Sequence, residues 1–147
     1  VRGYASAFEG VVRTINTLLP NNEFIGEAFR EERPMYPPVA IREIVANALI
    51  HQDMTVSGAG PTVEIFRDRV EVTNPGAPLI APERMIDLPP RSRNETLASL
   101  MRRMRICEEQ GSGVDKVIRS VELFQLPPPD FRVKGDPLRR PHAAVRR

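Results

Sequence analysis

Cysteine is nearly absent: Cys107 is the only one, which excludes an internal disulfide and any cysteine-rich zinc site. Two histidines, His51 and His142, leave little material for other metal cages. No apolar run approaches the ~18 residues that a membrane span needs, and Val1-Arg2-Gly3-Tyr4 shows no signal-peptide pattern. No membrane partner is therefore expected, and cytoplasm is the simplest compartment. Lysine is scarce as well. Only Lys116 and Lys134 stand among 21 basic residues, a skew that suits forked contacts to phosphate but that a GC-rich genome also produces.

The 147 residues, 41% of them hydrophobic, suit one domain with a real core. Net charge is +2 but unevenly placed: residues 91–147 hold thirteen basic against seven acidic groups. Such a half suits phosphate or nucleic acid, or simply solvated helix faces. Proline, at 15 residues, clusters where elements should end.

Apolar residues at helical spacing predict helices over Ala7–Leu19, Val39–His51, a stretch after Ser92 or Asn94, and a stretch after Gly113. Thr62–Phe66 and Val70–Thr73 flank Arg67-Asp68-Arg69 as a β-hairpin. Glu23–Glu32 suggests an irregular edge strand, and Phe131–Val133 a last strand. Residues 77–93 read as a long proline-broken connector. The expected fold is α+β, a two-layer sandwich of a small mixed β-sheet with helices packed on one face. The expected domain covers residues 1–134, with 135–147 a loose basic tail or linker.

The helix over 39–51 carries the most suggestive chemistry. At ~100° per residue Glu43, Asn47 and His51 form one polar stripe. Asparagine in mid-helix is disfavoured, because its amide competes with the backbone. A carboxylate and an amide one turn apart can hold water or a divalent ion, the carboxylate can take a proton, and an amide oxygen suits magnesium. A solvated polar face is the other reading. Asn74-Pro75-Gly76 ends a strand, where glycine permits close backbone approach. Gly111-Ser112-Gly113 opens a helix, as an anion site would, although Gly111 could equally cap the helix before it.

The order Glu-x-x-x-Asn on a helix, strand then x-x-Gly, connector, and Gly-x-Gly opening a helix resembles the gyrase/histidine-kinase type of ATP-binding domain, the Bergerat fold. The similarity is strongest to its RecG-related branch, whose members are described as ATP-dependent DNA helicase RecG-related proteins or ATP-binding transcriptional regulators. The stretches that carry it are YPPVAIREIVANALIHQD, VEIFRDRVEVTNPG and RSRNETLASLMRRMRICEEQGSGVDKVI, closing at LPPPDF. The resemblance implies ATP and Mg2+ as ligands, with Glu43 orienting or deprotonating water and Asn47 holding magnesium. It implies that the turn of Asn74 and Gly76 faces adenine, and that Gly111, Ser112 and Gly113 approach phosphate. The connector would be a lid from which Arg91 and Arg93 reach phosphate oxygens. Asn74 stands where the wider family has Asp, and His51-Gln52-Asp53-Met54 where the branch has His-Arg-Asp-Tyr.

Neither lysine sits in a Gly-x-x-x-x-Gly-Lys-Ser/Thr loop, so the chain is not expected to be a helicase motor. DNA contact would come through other domains of a longer protein, and a homodimer is compatible with the pattern. The competing reading is a degenerate, non-catalytic module of the same fold, kept for dimerisation or nucleic-acid contact.

Overall fold

The computed structural model describes residues 3–25, 30–81, 84, 91–107, 113–133 and 141–147. The chain opens with α1 (Tyr4–Leu18), which buries Phe8, Val12 and Ile15. This stripe is narrower than the sequence suggests: Val11 and Leu18 are exposed. The helix stops at Leu19, whose extended backbone is what Pro20 imposes on the residue before it. β1 (Asn21–Ile25) and β2 (Arg30–Pro34) then pair antiparallel as a separate two-stranded sheet. The single irregular edge strand expected over Glu23–Glu32 is thus two strands that pair with each other.

α2 (Pro38–His51) starts on Pro38 at its first turn, where the missing N–H costs nothing. It is the central helix. Ala40, Ile41, Glu43, Ile44, Val45, Ala46, Ala48 and Ile50 are all buried, so α2 is covered on nearly every side. α1, α4 (Gly113–Leu123), α3 (Glu95–Arg103) and the sheet all pack against it. Arg42 of α2 ties down the end of α3, donating to the carbonyls of Arg105 (3.0 Å) and Ile106 (3.1 Å).

β3 (Thr62–Ile65) and β4 (Arg69–Thr73) form the expected hairpin, closed by Phe66 N–H to the Arg69 carbonyl at 2.8 Å. β5 (Asp130–Val133) and β6 (Pro141–Arg146) complete a four-stranded sheet in the order β3-β4-β6-β5. All pairings among the described strands are antiparallel, where the sequence suggested a mixed sheet. Three of these pairs, β1–β2, β3–β4 and β5–β6, join strands that follow one another in sequence, where antiparallel pairing needs no crossover. The two-layer α+β architecture itself is as expected.

One expectation is corrected outright. Residues 141–146 do not form part of a loose tail; they form β6, an interior strand between β4 and β5. Ala144 and Val145 are fully buried and His142 nearly so. Pro141, His142 and two alanines lack the alternating β-branched pattern that marks a strand. The small side chains of Ala143 and Ala144 suit a crowded interior position that the sequence alone does not reveal.

Register fixes the two faces of the sheet. Val70, Val72 and Val145 join the helix-packed core, with Val63, Phe131 and Ala143 against it. The opposite face is polar. There Glu71 accepts from Arg69 Nε at 2.6 Å, His142 Nδ1 lies 3.7 Å from Glu71 Oε2, and the hydroxyls of Thr62 and Thr73 meet at 2.6 Å. β4 runs out of the sheet at Asn74, beside the end of α2, and this is what sets up the site.

Candidate functional site

The site hangs on α2 at two levels. In mid-helix, Glu43 is buried at 4% exposure and Asn47 is half-buried. The stripe they form is not solvated; the N-terminus of α4 lies over it. A Cβ placed on Gly113 would stand 3.3 Å from Glu43 Oε2, 3.4 Å from Asn47 Nδ2 and 3.6 Å from Asn47 Oδ1. The first residue of α4 therefore lies beside both polar groups, and a larger residue would press on them. Free N–H groups and the positive end of the helix dipole gather at such a terminus. Cys107 lies close enough to feel the Glu43 charge; burial first, and that charge second, push its thiol up from the usual value.

At the end of α2 a second cluster forms. Asn74 is buried at 7% exposure, and its Nδ2 finds no hydrogen-bond partner among the described residues. An unpaired buried amide is costly, so such a group is a place to look for a missing partner. Gly76 follows with φ +100°, a conformation that L side chains rarely adopt. Space excludes a side chain there as well. A Cβ would fall 2.5 Å from Asp53 Cβ and 2.6 Å from Arg93 Nη1.

The turn is held from several directions. Asp53 N–H donates to the Pro75 carbonyl at 2.8 Å. Arg93 donates through Nη1 to Asp53 Oδ2 (2.7 Å) and through Nη2 to the Ala77 carbonyl (2.8 Å). The other Asp53 oxygen accepts from the hydroxyl (2.6 Å) and the amide (3.0 Å) of Thr55. These Thr55 bonds, with help from the Arg93 charge and against the cost of burial, hold the Asp53 carboxyl below its ordinary value. Asn94 is the N-cap residue of α3, its carbonyl accepting from Ala98 N–H at 2.9 Å, but its side chain does not cap that helix; its amide donates to the carbonyls of Ile50 and Gln52, both at 2.8 Å, closing the C-terminus of α2. Burial, and then the nearby Arg93 charge, lower the pKa of His51 at the same helix end.

Of the residues singled out by sequence, the structure brings Glu43, Asn47 and Gly113 side by side. Asn74, Gly76 and Arg93 belong to the second cluster. Arg91 is exposed. Gly111 and Ser112 lie outside the described residues. Sequence reasoning gave no role to Asp53, which turns out to organise the turn. Its partner is 40 residues away, so no local pattern marks it.

The residues present suit a magnesium nucleotide. An amide oxygen and a carboxylate beside a helix N-terminus match a hard cation that keeps most of its ligands as water and phosphate. Among the described residues no group of three or more His, Cys, Asp or Glu could hold a metal by itself. No described helix is long and apolar enough to cross a membrane.

Comparison with known proteins places the fold and the family. The crystal structure of the DIP2311 protein from Corynebacterium diphtheriae superposes with a TM-score of 0.81 at 22% identity, over 96% of this chain and 29% of that one. At that identity the likeness shows the fold, and this chain spans under a third of that protein's length. No curated protein matches. A family model described as "Putative ATP-dependent DNA helicase recG C-terminal" matches residues 58–139, which hold the Asn74–Gly76 turn, Arg93 and Gly113 but begin after α2. The chain belongs to that family of ATPase-type domains, the RecG-related C-terminal family.

Proposed function

We propose that the chain is a nucleotide-binding module that takes ATP with Mg2+ and hydrolyses it slowly, as one part of a longer regulatory protein linked to DNA. The observation that carries this reading is the placing of Gly113, at the start of α4, beside Glu43 and Asn47 with room for no more than a Cβ between them. A carboxylate, an amide and a helix N-terminus converge there, and each meets a different need of a triphosphate. Backbone N–H groups at the start of α4 would donate to phosphate oxygens. Asn47 offers an oxygen to magnesium, which would neutralise phosphate charge there. Glu43 Oε2 stands where it can orient a water and take its proton.

The second cluster supplies the base. Asn74 presents a carboxamide, and adenine offers a matched donor and acceptor edge to such a group. The unpartnered Nδ2 supports this pairing. Gly76, without a side chain, leaves the turn open to a flat ring. Arg91, exposed in the connector, is free to meet phosphate.

DNA unwinding is not part of this proposal. The sequence has no Gly-x-x-x-x-Gly-Lys-Ser/Thr loop, and its two lysines lie elsewhere. DNA contact through other domains and homodimerisation belong to the proposal and rest on the family resemblance; a cytoplasmic compartment belongs to it as well and rests on the sequence pattern.

Titration calorimetry with a non-hydrolysable ATP analogue, with and without magnesium, tests the reading. The parent should bind, more tightly with the metal, and Asn47→Ala should lose the magnesium-dependent part. Silence of a folded parent at millimolar nucleotide would overturn the proposal in favour of a non-catalytic module of the same fold.

A further inference from the structure

We propose that Asp53 and Arg93 are positioning residues: their ion pair clamps the Asn74–Gly76 turn in the form that presents Asn74 to the base, so Arg93 serves base recognition and not phosphate. The ligand in this inference rests on the nucleotide reading above; the clamp rests on contacts alone.

The contacts form a closed circuit. Asp53 grips the turn by its own backbone, N–H to the Pro75 carbonyl. Its carboxylate holds Arg93, and the second nitrogen of Arg93 returns to the Ala77 carbonyl on the far side of Gly76. Pro75 and Ala77 flank the glycine, so the turn is pinned on both sides. The circuit also explains why position 76 has no side chain, because a Cβ would strike both clamp residues. Thr55 fixes the remaining Asp53 oxygen, so the carboxylate cannot swing away.

The side chains of Arg93 and Asp53 are only about a quarter exposed, at 23% and 25%. A free surface pair would contribute little. Here the forked guanidinium joins two chain segments, a geometry that a lysine cannot reproduce. Arg93 also begins the segment whose next residue, Asn94, closes the end of α2. The far end of the connector is thereby tied to the same helix end as the turn. Asn74 sits directly before the pinned residues, buried and with an amide nitrogen that has no partner among the described residues. A carboxamide reads a base only if it is held in place, since misplacement by ~1 Å can cost a large factor.

The test compares Asp53→Asn, Arg93→Gln, their double variant and Arg93→Lys. Each is titrated with ATP, GTP and magnesium tripolyphosphate, which carries the phosphates without a base. Each single variant should bind ATP roughly 10- to 100-fold more weakly, the range typical of lost supporting contacts. Preference for ATP over GTP should fall in step, and tripolyphosphate binding should hold. The double variant should be no weaker than either single one, and Arg93→Lys should lie between parent and Arg93→Gln. If Arg93→Gln weakens tripolyphosphate as much as ATP while Asp53→Asn changes nothing, Arg93 is a phosphate ligand and the clamp is overturned. Hydrogen exchange of the Asp53 amide reads the clamp without any nucleotide. Faster exchange in all four variants supports it, and exchange at the parent rate overturns it. A parent that binds no nucleotide defeats the functional reading, and this exchange result then judges the clamp by itself.

Discussion

The two clusters on α2 are built in opposite ways. In the mid-helix cluster, two side chains one turn apart on one helix meet a single residue of another. In the end-of-helix cluster, Asp53, the 74–77 turn and Arg93 come from three separate stretches of chain and meet through backbone carbonyls and a forked ion pair. The first is a surface made by helix geometry, and it can change one side chain without moving its neighbours. The second is a closed circuit, in which every member holds another. Under the proposed function, chemistry on a proton or a metal falls to the first, and the fit to a ring falls to the second.

That contrast can be broken by substitution. The largest effect is expected at Glu43. Glu43→Gln keeps the shape packed against Gly113 and should slow ATP hydrolysis by ~10²–10⁴ while leaving nucleotide affinity intact. A steady-state phosphate-release assay beside calorimetry checks this. Equal losses of rate and affinity would make the stripe a packing feature. Gly76→Ala comes next. It meets a left-handed backbone and a clash with Asp53 Cβ at 2.5 Å, so it should destabilise by more than ~1–3 kcal/mol of strain alone. For a domain of this size that lowers Tm by roughly 5–10 °C, and a melt reads it directly.

Gly113→Ala should behave differently, which sharpens the comparison. Alanine favours the helix by up to ~1 kcal/mol, and its contact at 3.3 Å with Glu43 Oε2 needs only a small adjustment. Stability should stay close to that of the parent, while ATP binding weakens by about fivefold, the equivalent of ~1 kcal/mol. A loss of Tm as large as that of Gly76→Ala would show that both clusters are rigid circuits.

The smallest effect concerns His51. Its pKa is lowered by burial and by Arg93, so the folded chain binds its proton less readily than the unfolded chain does. The stability that His51 contributes is complete above its ordinary value of 6.5 and is lost as pH falls through the lowered one. Melts of parent and His51→Gln between pH 8 and pH 5, roughly the range over which histidine switches, should converge toward the acid end. A constant gap across the range would remove His51 from the pH response.

Much of this was legible in the sequence because it is local. Helical spacing located α1, α2, α3 and α4 to within a few residues, and the alternation around Arg67-Asp68 located the β3–β4 hairpin. A mid-helix asparagine one turn from a glutamate marked the stripe, since such a residue conflicts with helix propensity. What only the tertiary structure decided is equally specific. β6 was invisible because its residues carry no strand pattern and gain their place from burial between β4 and β5. Asn94 takes the N-cap position that its residue type suggested, yet its side-chain amide goes to the carbonyls that end α2. Glu43 and Asn47 could have faced water, and only the packing of α4 over α2 put Gly113 against them. Asp53 and Arg93 are 40 positions apart, and no periodicity links them. Short-range sterics and spacing act within a turn or two and are written in adjacent residues. Partnership across the fold depends on which surfaces bury each other, and that is settled only when the whole chain packs.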